Sequence, residues 1–456
     1  IDIGGTFTDI MALDLGNGEM HIAKVPTTPA NLLSGVKKGL REIMGLLNLG
    51  GEEVKLLSHG TTVAINAIIE RKGAKTALIT TEGFRDVLEI GELYRPRELL
   101  YDPFREKESP FIPRRYRIGA KERINYSGGI LRPLDEEDLL KKLSSLNREG
   151  IESIAICTLF SYLNPVHENK IRNLVKKISP RVSTTLSAEV SPEMGEYKRT
   201  STTVAESYIK PIINRYVPAF ERSMREAHVT CPLCLMRGDG GLADLETAME
   251  NPSRLLLSGP VGGVVAAAYM GELTGHKNLL TLDMGGTSCD TSAIINGEAQ
   301  EAPDHEAGGM PIRGPFIQVA TIGAGGGSIA RVSEVGELSV GPDSAGADPG
   351  PVCYGKGGIE PTVTDANLVL GLINPDSFAK IRLSPKDARI AIENRIAKPL
   401  NTTVEEAALA IREIIDSKLS GALRLVSVER GLDPGDFALI VFGGAGPLEA
   451  ASIAEE

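Results

Sequence analysis

The sequence predicts an α/β fold made of two related units, and three observations carry that expectation. At 456 residues the chain is longer than one compact core usually fills and suits two to four domains. A strand, glycine turn, strand pattern opens the chain as IDIGGTFTDI and returns as LDMGGTSCDT, so the shared DxGGTxxD places Asp2 and Asp283 281 residues apart. A hydrophobic content of 42% with 50 glycines and 27 prolines suits loop-rich α/β architecture better than a helical bundle or a disordered chain.

The charge balance removes several function classes. A formal net charge of −11 gives no cationic footprint for nucleic acid. No apolar run reaches the length of a membrane span, and no charged start with an apolar stretch and small-residue cleavage site precedes the first strand. Neither nucleic acid nor membrane is therefore expected as a partner, and the protein reads as cytoplasmic. Five cysteines give no disulfide framework, and the CPLC stretch at Cys231 and Cys234 lacks a second metal half-site, which leaves a structural thiol pair. The chain opens inside a strand and closes in an early helix turn, which suggests that both ends are cut.

Taken in order, TDIMALDL, GNGE and MHIAKVPT read as strand, hairpin turn and strand. NLLSGVKKGLREIMGLLNL has the apolar period of an amphipathic helix. VKLLSHGTTVAINAIIERKG is strand, small-residue turn and helix, and KTALITTEG is a further strand. After a polar, proline-bearing region, DEEDLLKKLSSLNREG is helical and IESIAICTLFSY is a buried strand, which closes a first domain at 1–180. The second, 181–456, starts with RTSTTVAESYIKPIINRYVPAFERSMREA, a long helix expected to be interrupted at Pro211 and Pro218. VTCPLCLMRGDGG is a strand ending in glycines, and SGPVGGVVAAAYMGEL a small-residue helix. NLLTLDM and TSCDTSAII repeat the opening order, with Asn296 and Gly297 at the next hairpin. Residues 322–357 are rich in glycine and proline and read as a long functional loop. TTVEEAALAIREIIDSKLSGALRLVSVERG carries helix-start acids and a glycine stop, and FALIVFGGAGPLEAA is strand, glycine turn and helix.

Glycine turns of this kind suit phosphate, because backbone N–H groups approach closely where no Cβ intervenes and threonine hydroxyls add donors. Asp2 and Asp283 repel phosphate unless Mg²⁺ stands between, partly through water. A nucleoside triphosphate held between two half-sites is therefore expected. No GK followed by Ser or Thr occurs in either copy, which excludes the Walker A loop, and the turn leads into a strand, which excludes the dinucleotide fingerprint.

These residues, in this order, resemble the actin-like ATPase superfamily, in which two ribonuclease-H-like domains enclose an interdomain ATP cleft. The resemblance narrows along the whole chain. IDIGGTFTD, HGTTVAINAIIERKGAKTALITTEGFRDVLEIG, SGPVGGVVAA, LDMGGTSCD, TIGAGGGSIA, GPDSAGADPGPVCYGKGG, PTVTDANLVLG and FGGAGP are together similar to the hydantoinase A subunit of the hydantoinase/oxoprolinase family. That resemblance implies an ATP-dependent cyclic amidohydrolase. ATP would activate the amide oxygen of a hydantoin or 5-oxoproline type ring, with a hydantoinase B-like subunit as partner and an oligomer of that heteromer as assembly. Some relatives in the family activate a ketone for carboxylation instead. A non-catalytic ATP-binding subunit and a kinase of the sugar-kinase type are the remaining readings.

The resemblance also assigns roles. Gly4, Gly5, Thr6 and Thr8 would form a first phosphate loop, and Gly285, Gly286, Thr287 and Ser288 a second. Asp2 and Asp283 would hold Mg²⁺ or position water, and Gly443, Gly444 and Gly446 would lie against adenosine. Asp9 and Asp290 are either ligand-side acids or turn caps. Gly325 and Gly326 in GAGGGS either donate N–H groups to an oxyanion or bend tightly between strands. Substrate candidates are His59 with Thr61 and Thr62, the Arg85 and Asp86 pair, and Asp239, each with a structural alternative: a satisfied histidine, a local ion pair and a turn former. The chain departs from the family pattern at Ala320 and Glu449, which stand where the pattern has histidines.

Overall fold

The computed structural model describes residues 1–3, 7–28, 32–92, 100–104, 109–376 and 382–456. Its contacts divide the chain into one unit of Ile1–Gly259 with Glu301–Phe316, and a second of Pro260–Gln300 with Ile317–Glu456.

The first unit begins with strands β1 (Asp2–Ile3), β2 (Phe7–Leu13) and β3 (Met20–Pro26), then helix α1 (Leu32–Leu47), β4 (Leu57–Thr61) and α2 (Val63–Ile69). There follow β5 (Thr76–Thr81), α3 (Val87–Ile90), β6 (Arg117–Ala120), a small hairpin of β7 (Arg123–Ile124) and β8 (Ile130–Arg132), and α4 (Glu136–Asn147). Then come β9 (Ser153–Cys157), α5 (Val166–Ile178), β10 (Ser183–Leu186), α6 (Ser187–Val190) and α7 (Glu196–Glu226). The unit continues through β11 (Leu233–Met236), β12 (Leu242–Asp244) and α8 (Leu245–Glu250). Two sheets result, one in the order β12-β11-β4-β1-β2-β3 and one in the order β10-β9-β5-β6. In the first, Ile3, Ile10 and Ala23 pack on Val36, Leu40 and Ile43 of α1 and on Phe220 and Met224 of α7.

The unit extends well past residue 180 because β11 pairs in parallel with β4, which binds the segment after α7 to the N-terminal sheet. Helix α7 also differs from expectation: Pro211 and Pro218 lie inside one continuous 31-residue helix. They stand seven residues apart and so fall on nearly the same face, while Ile209, Ile213, Val217 and Phe220 are buried beside them. Core burial holds the helix through the lost N–H donors.

The helix α9 (Ser258–Thr274) leads into β13 (Leu279–Met284), β14 (Cys289–Ile295) and β15 (Glu298–Ala299). Asn296 and Gly297 turn the chain with φ of 56° and 88°, as the Asn-Gly signal predicts. After the ribbon of β16 (Glu301–Ala307) and β17 (Met310–Ile317) come β18 (Ala320–Ile322), β19 (Ser328–Val332) and β20 (Leu338–Ser344). The expected 322–357 loop therefore holds an antiparallel pair, with Arg331 opposite Ser339. The remaining elements are α10 (Val363–Val369), α11 (Pro385–Ile392), α12 (Lys398–Leu400), α13 (Val404–Val426), β21 (Ala438–Phe442) and α14 (Ala450–Glu455). Thr403 caps α13 in a capping box with Glu406. Ile411, Ile415 and Leu419 of α13 pack under Leu280, Leu282 and Met284, so the second core lies below the strands that carry the second DxGGT turn. Among the described residues no helix is long and apolar enough to cross a membrane.

Candidate functional site

Strand register builds the second glycine turn. Asp283 stands opposite Asp290 and Met284 opposite Cys289, and Gly285 N–H donates to the Ser288 carbonyl at 3.0 Å to close the hairpin. Directly opposed residues of an antiparallel pair share a face, so the two carboxylates stand together. Burial pushes the Asp290 pKa up, against the hydrogen bond it accepts from Thr321 Oγ1 at 2.5 Å. Thr321 gets there because β18 pairs with β14 and sets it opposite Asp290.

Two other glycine turns pack onto this one. A Cβ on Gly325 would lie 2.6 Å from the Gly286 carbonyl carbon, so only glycine lets the GAGGGS segment touch the turn. Gly326 and Gly327 donate their N–H groups to the carbonyls of Gly285 and Gly286, at 3.0 and 2.7 Å. Thr364, at the start of α10, donates both its N–H and its Oγ1 to the Gly326 carbonyl, at 2.8 and 2.7 Å. The third turn follows β21, which runs parallel to β13 with Phe442 beside Asp283. Gly443 there has φ of 87°, and a Cβ would stand 2.4 Å from Asp283 Oδ1. Ala445 N–H donates to the Met284 carbonyl at 2.9 Å, and Gly446 is buried against Met284.

The N–H groups of Gly325, Gly326 and Gly327 are thus spent inside the protein, Gly325 on Ser328 Oγ at 2.9 Å. They brace the turn from below instead of meeting a ligand. The N–H groups of Gly286, Thr287 and Gly444, by contrast, find no acceptor among the described residues, and all three residues are exposed. Exposed glycine backbone with unspent donors, beside two carboxylates, is a cradle for phosphate and for a cation that bridges phosphate to carboxylate. No group of three or more His, Cys, Asp or Glu side chains forms a metal cage among the described residues. Mg²⁺ needs only one or two carboxylates when phosphate and water complete its shell, so the Asp283 and Asp290 pair suits it.

The first unit repeats the register, with Asp2 opposite Asp9 and Ile3 opposite Thr8. Gly4, Gly5 and Thr6 lie outside the described residues. Strand β4 runs parallel to β1, and a Cβ on Gly60 would stand 3.1 Å from Asp2 Oδ1. One edge of Asp2 meets solvent, yet burial by the surrounding strands pushes its pKa up. Asp9 forms an ion pair with Lys24 Nζ at 2.7 Å. Thr8 is buried with its hydroxyl 3.1 Å from that of Thr27.

The substrate candidates do not assemble into one polar group. His59 is fully buried, its Nε2 lies 2.6 Å from Tyr216 Oη and its Nδ1 3.2 Å from the Ile1 carbonyl, and its ring stacks on Phe220. Burial drives its pKa down to about 3, so the ring is neutral and both nitrogens are engaged. Thr61 is buried, with its N–H and carbonyl both bonded to Ser258 Oγ. Thr62 Oγ1 donates to the Ile3 carbonyl at 3.3 Å. Asp86 is held by the Arg114 guanidinium at two 2.9 Å contacts, which lower its pKa, while Arg85 is exposed. Asp239 accepts from Gly241 N–H at 3.0 Å and from Arg237, which is the turn-former geometry. His59 is engaged at both nitrogens and Asp239 sits in a turn, whereas Asp86 forms its ion pair with Arg114 and not with Arg85. Cys231 and Cys234 are free thiols at β11.

Glu449, at a position where a histidine was the pattern, is fully buried. It accepts from Asn367 Nδ2 at 2.7 Å and from Arg412 Nε at 2.8 Å, which ties the third turn to α10 and α13. Ala320 sits on β18 opposite Thr291. Sequence reasoning missed Thr321, Thr364, Lys24 and Ser258, because a threonine, serine or lysine in a strand or helix start carries no signal until a register brings it to its partner.

Known proteins resemble this chain along its whole length. A profile described as Hydantoinase/oxoprolinase matches residues 199–456, and one for the Hydantoinase/oxoprolinase N-terminal region matches 1–179. An uncharacterized protein of Methanocaldococcus jannaschii is 40% identical, over 100% of this chain and 68% of its own length. Caprolactamase subunit alpha of Pseudomonas jessenii is 38% identical, over 100% of this chain and 66% of its own. The acetophenone carboxylase gamma subunit of Aromatoleum aromaticum is 37% identical, over 99% of this chain and 64% of its own. The crystal structure of ATP-dependent caprolactamase from Pseudomonas jessenii superposes with a TM-score of 0.86 at 36% identity, covering 100% of this chain and 66% of that one. The chain therefore spans about two thirds of the length of these relatives.

Proposed function

This chain belongs to the hydantoinase/oxoprolinase family, and from that premise we propose that it is the ATP-using part of a ring-opening enzyme. The enzyme phosphorylates the amide oxygen of a cyclic amide or imide, of the hydantoin or 5-oxoproline type, and water then opens the ring. A related name supports this: one similar protein is an ATP-dependent caprolactamase. Each unit is read as one half of an actin-like ATPase fold, on the strength of the shared hairpin register.

The observation that carries the reading is the set of unspent N–H groups on Gly286, Thr287 and Gly444 beside Asp283 and Asp290. Phosphate oxygens meet those donors, and Gly443 keeps the third turn close enough to Asp283 to bound the same space. Mg²⁺, when bound at Asp283 and Asp290, neutralises charge on the transferring phosphoryl group. An amide carbon is a poor electrophile, and phosphorylation of its oxygen supplies a leaving group. Water adds to that carbon and the C–N bond breaks to leave an acyl phosphate, which a second water cleaves, so the products are ADP, inorganic phosphate and the ring-opened acid. Glu449 takes no part in proton transfer in this scheme, since Arg412 and Asn367 occupy its oxygens.

The test incubates the protein, with a hydantoinase B-like subunit, ATP and Mg²⁺, against hydantoins, 5-oxoproline and lactams. Ring-opened product with stoichiometric ADP is expected. ADP release that depends on bicarbonate and a ketone would instead establish the carboxylase reading, which the 37% identity to an acetophenone carboxylase subunit supports. Tight ATP binding without turnover under any of these conditions would establish a non-catalytic subunit.

A further inference from the structure

The hairpin of β2 and β3 carries an apolar surface that nothing among the described residues covers. Met11, Leu13, Leu15, Met20 and Ile22 are between 52% and 77% exposed. Register makes most of them one ladder, because Met11 stands opposite Ile22 and Leu13 opposite Met20. The other face of the same strands is conventional, with Ile10, Ala23 and Val25 buried in the core. Strand alternation therefore places large apolar side chains on both faces, where a solvated face would carry polar ones. Strand β3 is also the edge of its six-stranded sheet. Lys24 and Pro26 guard the far end of this edge strand, whereas the stretch of ladder formed by Met20, Ile22, Met11 and Leu13 is apolar and exposed.

We infer that this hairpin face is the docking surface for a different subunit, one that presents an apolar segment with a basic rim. The inference rests on the heteromeric reading above, and it adds where the partner sits. Three arguments select that occupant. The five exposed apolar side chains lie together on one hairpin, the apolar centre that a contact surrounds with a polar rim. The rim at the hairpin tip is acidic, with Asp14 and Glu19, while Lys24 at the other end of the ladder is matched by Asp9. Two copies facing each other through it would repel, whereas a basic rim would not. The similar proteins named above are an alpha and a gamma subunit, which are chains with partners. The face also has a functional address, since alternation puts Met11 and Leu13 on the same side of β2 as Asp9, the residue paired with Asp2. A partner on this ladder borders the first DxGGTxxD hairpin.

The experiment uses the double variant Met11→Glu and Ile22→Lys, which places opposite charges across one strand pair and so keeps the hairpin. Tyr126→Lys, at an exposed site on the β7 to β8 turn, is the control. Purified wild type and variants are titrated with a purified hydantoinase B-like subunit by calorimetry, while light scattering follows each protein alone and circular dichroism checks the fold. The expected result is at least a 30-fold loss of affinity for the double variant and none for the control, with all three monomeric when alone. If wild type binds and the double variant binds equally well, the docking surface is overturned while the heteromeric reading stands. If wild type binds no such subunit, the heteromeric reading falls and the surface assignment with it. If the double variant instead dissolves a wild-type dimer, the face belongs to self-association and the assignment to a different subunit is overturned.

Discussion

Gly443 shows how much one missing side chain decides. Its φ of 87° costs an L-residue about 1–2 kcal/mol, and a Cβ would also press on Asp283 Oδ1 at 2.4 Å. Gly444, next in the chain, has open space around its Cβ position. Gly443→Ala is therefore expected to lower the urea midpoint and weaken ATP binding at least tenfold in calorimetry, while Gly444→Ala keeps wild-type stability. Equal stability of the two variants would contradict the close approach of the third turn to Asp283. His59 makes a prediction of another kind. Its pKa in the fold is about 3 against 6.5 when unfolded, so between those values the unfolded chain takes up a proton that the native ring refuses. Stability from this residue is present above pH 6.5 and is lost as pH falls below it, with a limiting slope of about 1.4 kcal/mol per pH unit. His59→Gln, which keeps a hydrogen bond toward Tyr216, should flatten the urea midpoint between pH 7 and pH 5. An unchanged slope would mean that the ring is not sealed from solvent.

At the scale of elements, the third glycine turn is held by its neighbours as much as by its own backbone. Helix α13 reaches it through Arg412, which binds Glu449 at 2.8 Å and the Leu448 carbonyl at 2.8 Å, and α10 reaches it through Asn367. Breaking one side of a buried charged pair costs about 3–5 kcal/mol, so Glu449→Gln should destabilise the protein by roughly 3 kcal/mol in urea unfolding. Asp416, one turn along α13 from Arg412, has its pKa raised to about 6 by burial and by the Glu449 carboxylate. A carboxyl raised in the fold favours the native state at low pH and withdraws that advantage as pH climbs from about 4 to 6. Asp416→Asn should therefore raise the urea midpoint more at pH 7.5 than at pH 5, the reverse sign to His59. These packing partners also mark what was legible in the sequence. The capped α13 and the amphipathic α1 were readable because periodicity and end signals are local. The continuity of α7 through two prolines was not, since the burial that sustains it comes from strands distant in sequence.

At the scale of the molecule, duplication was legible from one repeated pattern, and the structure extends it from sequence to register: Asp2 faces Asp9 as Asp283 faces Asp290. The division of labour between the copies was not legible, because it depends on what each second acid meets. Asp9 meets a cation, Lys24, at 2.7 Å, whereas Asp290 meets a neutral donor, Thr321, at 2.5 Å. An ion-paired carboxylate already has its charge matched, and a metal or phosphate-bound water must compete with the ammonium for it. A carboxylate held by one hydroxyl keeps its charge and a free oxygen for a cation, at the expense that burial raises its pKa. The copies thus share geometry and differ in electrostatics, and on the function proposed above the metal-dependent chemistry falls to the second hairpin. Asp290→Asn is expected to cut Mg²⁺-dependent ATP cleavage at least 100-fold, while Asp9→Asn, which releases Lys24, changes it less than tenfold. The raised pKa adds a check on the same assignment: lowering the pH protonates Asp290 before an ordinary carboxyl, so Mg²⁺ affinity measured by calorimetry with ADP should fall earlier on acidification for wild type than for a free Mg²⁺ and ADP mixture, and Asp290→Asn should abolish that early loss. Equal losses from Asp9→Asn and Asp290→Asn would show instead that the two hairpins share the metal-dependent step, and that the Lys24 ion pair opens when nucleotide binds.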